Sequence, residues 1–432
     1  MHFKPKHLVF ILTAIFFVSL FLRAQNVTAP FWVDEFSTAE QAKLLLNHGL
    51  TIFSQTENYF EPHNITTHFL VSASFSIFGI GEWQARVPFI IIGSLVSILI
   101  FIVSKKFFND KVAIISSLLY TFSYWQITWA RQARGYVLQQ LAVLVTLLAY
   151  QSLLEKYSKM KLLFFITVSI LGLLTHTTFV LILLAIAIHF MIFNREKILG
   201  IVTKPVFIFI VFLLFLISFF TNQINSIFVS VLNLATDLPN NLSYYHSFLW
   251  RQQTITVLFA FIGICVSLVT YKKFKIGLQL LLPISLYLFF VCFLFMPYVS
   301  RYILPIFPLL FIFAGVAIDF ISTHISKKLP LIFGMVITLF IVVNGDTFTI
   351  KPRAFYSVNR DMREVAIIDY DSIFEIIQSK GNLEAGKTAV IDTWPDRVKW
   401  YLGENKEYLY TYRWINSPGT VNGLSMSTPF EV

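Results

Sequence analysis

The chain has 432 residues, of which 56% are hydrophobic and 13% are charged. This composition excludes a water-soluble globular protein, in which about a quarter of the residues are charged. The formal charge is +10, but no run of basic residues is interleaved with polar aromatic residues, which argues against nucleic acid as a partner. The two cysteines are too few for a disulfide framework.

The sequence contains about eleven mainly apolar stretches, each near the ~20 residues that a helix needs to cross a bilayer. They lie at residues 8–24, 84–104, 112–129, 136–154, 161–175, 177–193, 205–221, 254–271, 277–296, 302–321 and 329–344. The pattern predicts an all-α polytopic integral membrane protein with about 11 transmembrane helices in residues 1–344.

Basic residues gather in every second loop between these stretches. They are Lys4, Lys6, Lys105, Lys106, Lys111, Lys156, Lys159, Lys161, Arg195, Lys197, Lys204, Lys272, Lys273, Lys275, Lys327 and Lys328. Because cytoplasmic loops carry an excess of lysine and arginine, the pattern predicts a cytoplasmic N-terminus in the cell membrane. The remaining loops and the C-terminus then lie on the extracytoplasmic face.

Two long segments fall on that extracytoplasmic face. The first is the loop 25–83, whose residues 65–79 are apolar but too short to cross the membrane, and so predict an interfacial or re-entrant helix. The second is the tail 345–432, where a helix from Arg363 to Ser379 and a strand from Thr388 to Ile391 predict a small α/β domain. We expect this domain to be incomplete, since a further element is expected where the sequence stops.

An adjacent carboxylate pair, Asp34 and Glu35, follows the first span and a run of aromatic residues suited to the membrane interface. One interpretation is a solvated helix start, with Asp34 as the cap and Glu35 in the first turn. The other is a general base or metal ligand held where a lipid headgroup meets water. The spacing of the two acids leaves both interpretations open.

Three further residues are candidate ligands for a divalent metal ion, which is the one cofactor that the sequence suggests. Glu61 and His63 could bind a metal, although two candidate ligands without helical spacing are weak evidence and ordinary loop polarity is the favoured explanation. His176 lies at an outer turn between two helices, where a histidine could instead cap a helix.

Arginines on the extracytoplasmic face need an anion to explain them. Arg131 and Arg134 lie at the outer mouth of a helix pair, and Arg301 starts another span. Guanidinium groups match phosphate oxygens bidentately, so a phosphate at the membrane surface is the predicted partner, with snorkelling to lipid headgroups as the alternative. A single lipid-phosphate site would explain these arginines together with the acids and histidines of the same face.

Gly-rich phosphate loops, nucleotide fingerprints and Gly-x-Ser-x-Gly elbows are absent from the sequence. This absence argues against a nucleotide-driven enzyme. The energy for a transfer must then come from the donor itself, such as a sugar already activated on a lipid phosphate.

Six short segments have a specific order and spacing relative to the predicted spans: Asp34-Glu35, Phe78-Gly79, Ala85-Arg86-Val87-Pro88, Ala130 to Tyr136, Thr175-His176 and Arg301-Tyr302-Ile303-Leu304-Pro305. Through these segments the sequence resembles the GT-C class of membrane glycosyltransferases. Within that class it is similar to the group that contains the dolichyl-phosphate-mannose protein mannosyltransferases (glycosyltransferase family 39) and the bacterial aminoarabinose transferase acting on lipid A. The sequence departs from the group at Glu61-Pro62-His63, where relatives often carry His-Pro-Pro or Lys-Pro-Pro, and at Gln132, where an acid is common.

The resemblance implies transfer of a sugar, with inversion, from a polyprenyl-phosphate donor in the membrane to a protein, lipid or glycan acceptor. It implies Asp34 as the base, with Glu35 beside it. The residues that would bind the lipid phosphate are Arg131, Arg134, Tyr136, Arg301, Tyr302 and Arg86.

A transporter or flippase of a lipid-linked or anionic solute is the alternative function. Such a protein should place ionisable residues near the bilayer midplane. The predicted spans are nearly free of charge at mid-depth, which favours chemistry at the membrane surface.

Overall fold

A computed structural model describes most of the membrane part of the chain and short segments of its tail. The described residues are 5–25, 27–54, 64–194, 239–269, 271–295, 299–344, 348–350, 369–380, 390–392, 395–402, 409–411, 419–421 and 424–426.

The described part of the chain is mostly helical. The α-helices are α1 Pro5–Arg23, α2 Val33–His48, α3 Ile65–Phe78, α4 Glu82–Phe107, α5 Asp110–Phe122, α6 Tyr124–Ala130, α7 Tyr136–Glu155, α8 Lys159–Thr175, α9 Val180–Phe193, α10 Leu242–Gln252, α11 Thr254–Val269, α12 Tyr271–Phe293, α13 Phe307–Ile325, α14 Pro330–Asn344, α15 Tyr370–Lys380 and α16 Pro395–Leu402. Short 3₁₀ segments follow α2 and precede α9 and α13, at Gly49–Ser54, Thr177–Phe179 and Ser300–Ile306.

Five helical stretches of the described chain are long and apolar enough to cross a membrane, and six if the bent pair α10 and α11 is one span. The integral membrane class is therefore confirmed. Each predicted apolar stretch overlaps a described helix, except 205–221, which lies outside the described residues. The number of about eleven membrane-crossing helices stays a prediction.

The first of two compact units contains most of the apolar helices and comprises residues 1–19, 93–127 and 136–351. Its central helix is α13, because 94% of the most apolar part of Ser300–Ile325, the segment that contains this helix, is buried. Helices α5, α11 and α14 pack around it. A Cβ added at Gly263 of α11 would lie 1.8 Å from the carbonyl oxygen of Phe313 in α13. Only glycine permits so close an approach of two helix backbones, as is common among membrane helices.

The second unit comprises residues 20–92, 128–135 and 352–432, and it contains the acid-bearing helix α2. Helix α2 buries Phe36, Ala39 and Ala42, which lie three residues apart and so share one face. That face belongs to a hydrophobic core with residues of α3, α4, α15 and α16: Val71, Phe75, Ala85, Phe89, Tyr370, Phe374 and Val398. Residues from both ends of the sequence therefore share one core.

A serine of α3 satisfies a backbone carbonyl of α4 that a proline leaves without its helical donor. Pro88 lies inside α4 and has no N–H to donate to the carbonyl of Gln84, four residues earlier. The hydroxyl of Ser74 in α3 donates to that carbonyl at 2.5 Å instead. The break in the helical ladder is thus satisfied by the neighbouring helix.

The described part of the tail contains α15, α16 and four short strands. Strands β1 Val390–Asp392 and β2 Leu409–Thr411 pair in parallel, and β3 Gly419–Val421 pairs antiparallel with β4 Leu424–Met426. Helix α15 is described from Tyr370 to Lys380. Residues 363–368 of the predicted helix lie outside the described residues. The predicted α/β domain over 345–432 is not confirmed by these segments.

Candidate active site

The predicted acids lie in the first turn of α2. The N-cap position is Trp32. The interpretation of Asp34 as the cap of the helix is therefore wrong. Glu35 instead reaches back and accepts a hydrogen bond from the backbone N–H of Trp32 at 2.9 Å. Both carboxylates interact favourably with the N-terminal end of the helix dipole.

Glu35 is the fixed member of the acidic pair. It is 1% exposed and accepts from Arg86 Nε at 2.9 Å on Oε1 and from Arg86 Nη2 at 2.8 Å on Oε2. The backbone N–H of Ala133, in the segment after α6, donates to the same carboxylate at 2.8 Å. With the bond from Trp32, the carboxylate has four donors. The geometry does not support a catalytic role for Glu35, because its oxygens are buried and engaged.

Arg86 uses all five guanidinium N–H groups within the protein. Besides its two bonds to Glu35, Nη1 donates to the carbonyls of Val27 and Ala29 at 2.8 and 2.5 Å, and Nη2 donates to that of Pro30 at 3.1 Å. The predicted role of Arg86 as a phosphate ligand does not fit this arrangement, since no donor is left over for a phosphate. Arg86 instead fixes the backbone that leads into α2.

Asp34 is the more accessible acid of the pair. Its Oδ2 lies 3.7 Å from Arg134 Nη2, and the two side chains are 18% and 20% exposed. Arg134 also donates to the backbone carbonyl of Asp34 at 3.1 Å and to the hydroxyl of Thr38 at 3.0 Å. The structure therefore brings together Asp34 and Arg134, two of the residues that the sequence predicts for the site. Thr38 was missed by sequence reasoning, although it lies one helical turn after Asp34.

Arg131 has a more buried position in the same unit. It is 5% exposed and donates from Nη2 to the carbonyl of Leu22 at 2.7 Å, at the end of α1. Nearby in the sequence, Trp129 packs edge to face against Trp32, with ring centroids 5.6 Å apart. These contacts tie the segment 128–135 to the chain that enters α2.

A second group of predicted residues lies in the first unit. Arg301 is 9% exposed and donates from Nε to the hydroxyl of Tyr136 at 3.1 Å. Its Cζ lies 5.6 Å from the ring centroid of Tyr302, whose ring lies 6.4 Å from that of Tyr136. The three residues that the sequence assigned to phosphate binding here are thus neighbours.

His176 joins this second group through its ring and caps a helical segment. Its Nδ1 accepts from the backbone N–H of Thr178 at 3.2 Å, at the start of Thr177–Phe179. Its ring centroid lies 6.2 Å from that of Tyr136. The hydroxyl of Thr178 also contacts the hydroxyl of Tyr287 at 2.8 Å. The capping role that the sequence left open is therefore the one observed, because Nδ1 is engaged.

The predicted metal ligands lie only in part within the residues that the structure describes. No group of three or more His, Cys, Asp or Glu side chains within the described residues could hold a metal ion. Glu35 is engaged by its four donors, and the predicted ligands Glu61 and His63 lie outside the described residues.

Comparison with known proteins finds one family model and several solved structures that are similar to this chain. The family described as dolichyl-phosphate-mannose-protein mannosyltransferase matches residues 62–225. ArnT from Cupriavidus metallidurans bound to undecaprenyl phosphate is 15% identical, with a TM-score of 0.52 over 79% of this chain and 65% of that one. The oligosaccharyltransferase AglB from Archaeoglobus fulgidus, in complex with an inhibitory peptide and a dolichol-phosphate, is 10% identical, with a TM-score of 0.62 over 95% and 65%.

A second structure of the Archaeoglobus fulgidus oligosaccharyltransferase, a complex with Zn and sulfate, is 10% identical, with a TM-score of 0.59 over 92% of this chain and 62% of that one. The chain spans less than two thirds of the length of these proteins. No curated protein matches the chain. The matches confirm the resemblance to the GT-C class and establish a shared membrane fold.

Proposed function

We propose that this protein is a membrane glycosyltransferase that moves a sugar from a polyprenyl-phosphate donor to an acceptor on the extracytoplasmic face. The observation that carries the proposal is the contrast between two adjacent acids at the start of α2. Glu35 is buried and held by Arg86, whereas Asp34 is partly exposed beside Arg134. A carboxylate that meets solvent next to a guanidinium suits a base placed beside a phosphate leaving group.

The chemistry of the site and the compared proteins support this donor class. Arg134 is partly exposed and carries the planar fork that matches phosphate oxygens. ArnT holds undecaprenyl phosphate and AglB holds a dolichol-phosphate. We assign phosphate binding to Arg131 and Arg134 in the second unit. On the same chemical grounds we assign it to Arg301, Tyr136 and Tyr302 in the first.

The proposed reaction is a single displacement with inversion. The acceptor hydroxyl oxygen forms a bond to the anomeric carbon while the bond from that carbon to the phosphate oxygen breaks. Asp34 takes the hydroxyl proton, and the bonding electrons leave with the polyprenyl phosphate. Arginine side chains stabilise the charge that grows on the departing phosphate. The acceptor belongs to the protein, lipid or glycan class.

The orientation of the chain in the membrane is part of the same proposal. The N-terminus is cytoplasmic, about eleven helices cross the bilayer, and the tail forms an α/β domain outside it. Helix α2 and its acids then face the extracytoplasmic side, where a lipid-linked sugar and its acceptor would meet.

The test is release of polyprenyl phosphate by the purified protein, supplied with a polyprenyl-phosphate sugar and a mixed pool of acceptors. Asp34→Asn should abolish release while leaving expression intact. Glu375→Gln removes an exposed carboxylate of α15 and is the matched control. Unchanged turnover in Asp34→Asn would exclude Asp34 as the base. Translocation of the lipid-linked sugar without release would support a transporter instead.

A further inference from the structure

A tryptophan of the C-terminal helix α16 packs against the chain that enters the acid-bearing helix α2. The ring centroid of Trp400 lies 4.8 Å from that of Phe31 and 6.4 Å from that of Phe75 in α3. Its indole N–H donates to Glu82 Oε1 at 2.8 Å. Lys43 of α2 places Nζ 4.9 Å from the centroid of the same ring. Trp400 is thus held by three elements of its unit.

Phe31 connects this tryptophan to the fixed acid. It is 1% exposed, and the guanidinium carbon of Arg86 lies 5.2 Å from its ring centroid. Arg86 in turn holds Glu35 by two charge-assisted hydrogen bonds and binds three carbonyls of the segment before α2. A continuous series of contacts therefore runs from Trp400 through Phe31 and Arg86 to Glu35.

Neighbouring contacts fix α16 itself in place. The Phe374 ring of α15 stacks on that of Tyr401 with centroids 4.7 Å apart, and the Phe36 ring of α2 lies 5.9 Å from that of Tyr401. Arg397 lies over the ring of Tyr370, with its Cζ 4.4 Å from the centroid. Helix α16 is thus packed at several points, and its tryptophan is presented on a fixed support.

We propose that Trp400 is a positioning residue for Asp34, an inference that rests on the proposed function. Its ring packs against that of Phe31, and the Phe31 ring packs against the guanidinium of Arg86. Arg86 in turn fixes Glu35 and the start of α2. Asp34 precedes Glu35 in the same helical turn, so the Asp34 carboxylate can keep its place only while that turn is fixed. Reactive geometry tolerates little displacement, since a 1 Å shift can cost about a hundredfold in rate.

The first test separates positioning from substrate binding. In Trp400→Ala, kcat for release of polyprenyl phosphate should fall by about 10-fold or more, while KM for the lipid donor changes by less than about threefold. Trp400→Phe keeps a ring against Phe31 and should recover kcat to within about threefold of the natural protein. Trp250→Ala removes an exposed tryptophan of α10 and should leave both constants unchanged.

The second test needs no activity and keeps the inference separate from the proposed function. The backbone N–H groups of Trp32 and Ala133 donate to Glu35 and should be protected from hydrogen–deuterium exchange. In Trp400→Ala their exchange should quicken by about 10-fold, and in Trp400→Phe it should stay slow. If Trp400→Ala cannot be purified in a folded state, the same exchange is measured in Trp400→Leu, where it should also quicken. Unchanged exchange at both amides overturns the inference, whether or not the natural protein releases polyprenyl phosphate.

Discussion

Arg86 holds Glu35 in a bidentate ion pair, with Nε and Nη2 at 2.9 and 2.8 Å from the two carboxylate oxygens. The side chains are 3% and 1% exposed. Such a pair is costly to desolvate, and removal of one partner leaves a buried charge uncompensated. The pair therefore fixes the start of α2 and leaves the neighbouring Asp34 as the acid that can meet a substrate.

Removal of the guanidinium should destabilise the protein strongly. In Arg86→Ala, Glu35 keeps only its two backbone donors, and three carbonyls of the segment before α2 lose their partner. We expect a loss of about 3–5 kcal/mol in the free energy of unfolding, measured by denaturant titration of the purified protein in detergent. A loss below about 1 kcal/mol would contradict the structural role assigned to the pair.

A double variant separates the pair from its surroundings. Glu35→Gln combined with Arg86→Met removes both charges together, and its loss should be smaller than the sum of the two single losses. Additive losses would mean that the two side chains act independently.

The position of the acidic pair could be predicted from the sequence. Which acid is buried and which is accessible to a substrate could not. Adjacent carboxylates after a first span mark a helix start at the interface. Which of the two is buried depends on side-chain direction in the first turn and on Arg86, which lies 51 residues further along the chain. Apolar periodicity carries no information on either point.

The same limit applies to the tail of the chain, whose elements can be predicted while their tertiary contacts cannot. A helix and a strand in the tail were predicted from local pattern, and α15 and β1 lie near those positions. The contact of Trp400 with Phe31 joins the two ends of the sequence through packing alone. Local propensity therefore finds the elements, whereas the partner of each buried ring is decided by tertiary structure.

Arg134 should contribute to binding of the lipid phosphate. Charge-assisted hydrogen bonds are worth about 1.5–3 kcal/mol, so Arg134→Ala should raise KM for the donor by about 10- to 100-fold. Arg134→Lys keeps the charge but loses the planar fork, so its KM should lie between those of the natural protein and Arg134→Ala. Steady-state kinetics with varied donor concentration measures this effect.

The control for Arg134 is Arg251→Ala, which removes an exposed arginine from the last turn of α10 and should leave KM unchanged. A fall in kcat at unchanged KM in Arg134→Ala would contradict ground-state phosphate binding. It would indicate instead that Arg134 acts through Asp34.

Ser74 should stabilise the protein only while Pro88 is present. The Ser74 hydroxyl supplies the hydrogen bond that Pro88 cannot give to the carbonyl of Gln84. Ser74→Ala should therefore cost about 1–3 kcal/mol of unfolding free energy, the penalty for an unsatisfied buried group. In a Pro88→Ala background the restored N–H can bond that carbonyl, and the same substitution should cost much less. Equal costs in the two backgrounds would mean that Ser74 stabilises the protein in another way.

Tyr401 should make the stability of the protein fall at alkaline pH. Burial raises the pKa of the Tyr401 hydroxyl, and the charges of Asp371 and Glu82 raise it further. Above the ordinary tyrosine pKa of about 10, the unfolded chain loses this proton while the folded chain keeps it, so unfolding becomes more favourable as the pH rises.

Tyr401→Phe removes the effect, and its apparent Tm in detergent should fall less between pH 8 and 10.5 than that of the natural protein. Tyr157→Phe alters a tyrosine that is 67% exposed and should leave the pH profile of Tm unchanged. Parallel profiles for the natural protein and Tyr401→Phe would show that the Tyr401 hydroxyl is not buried in the folded chain.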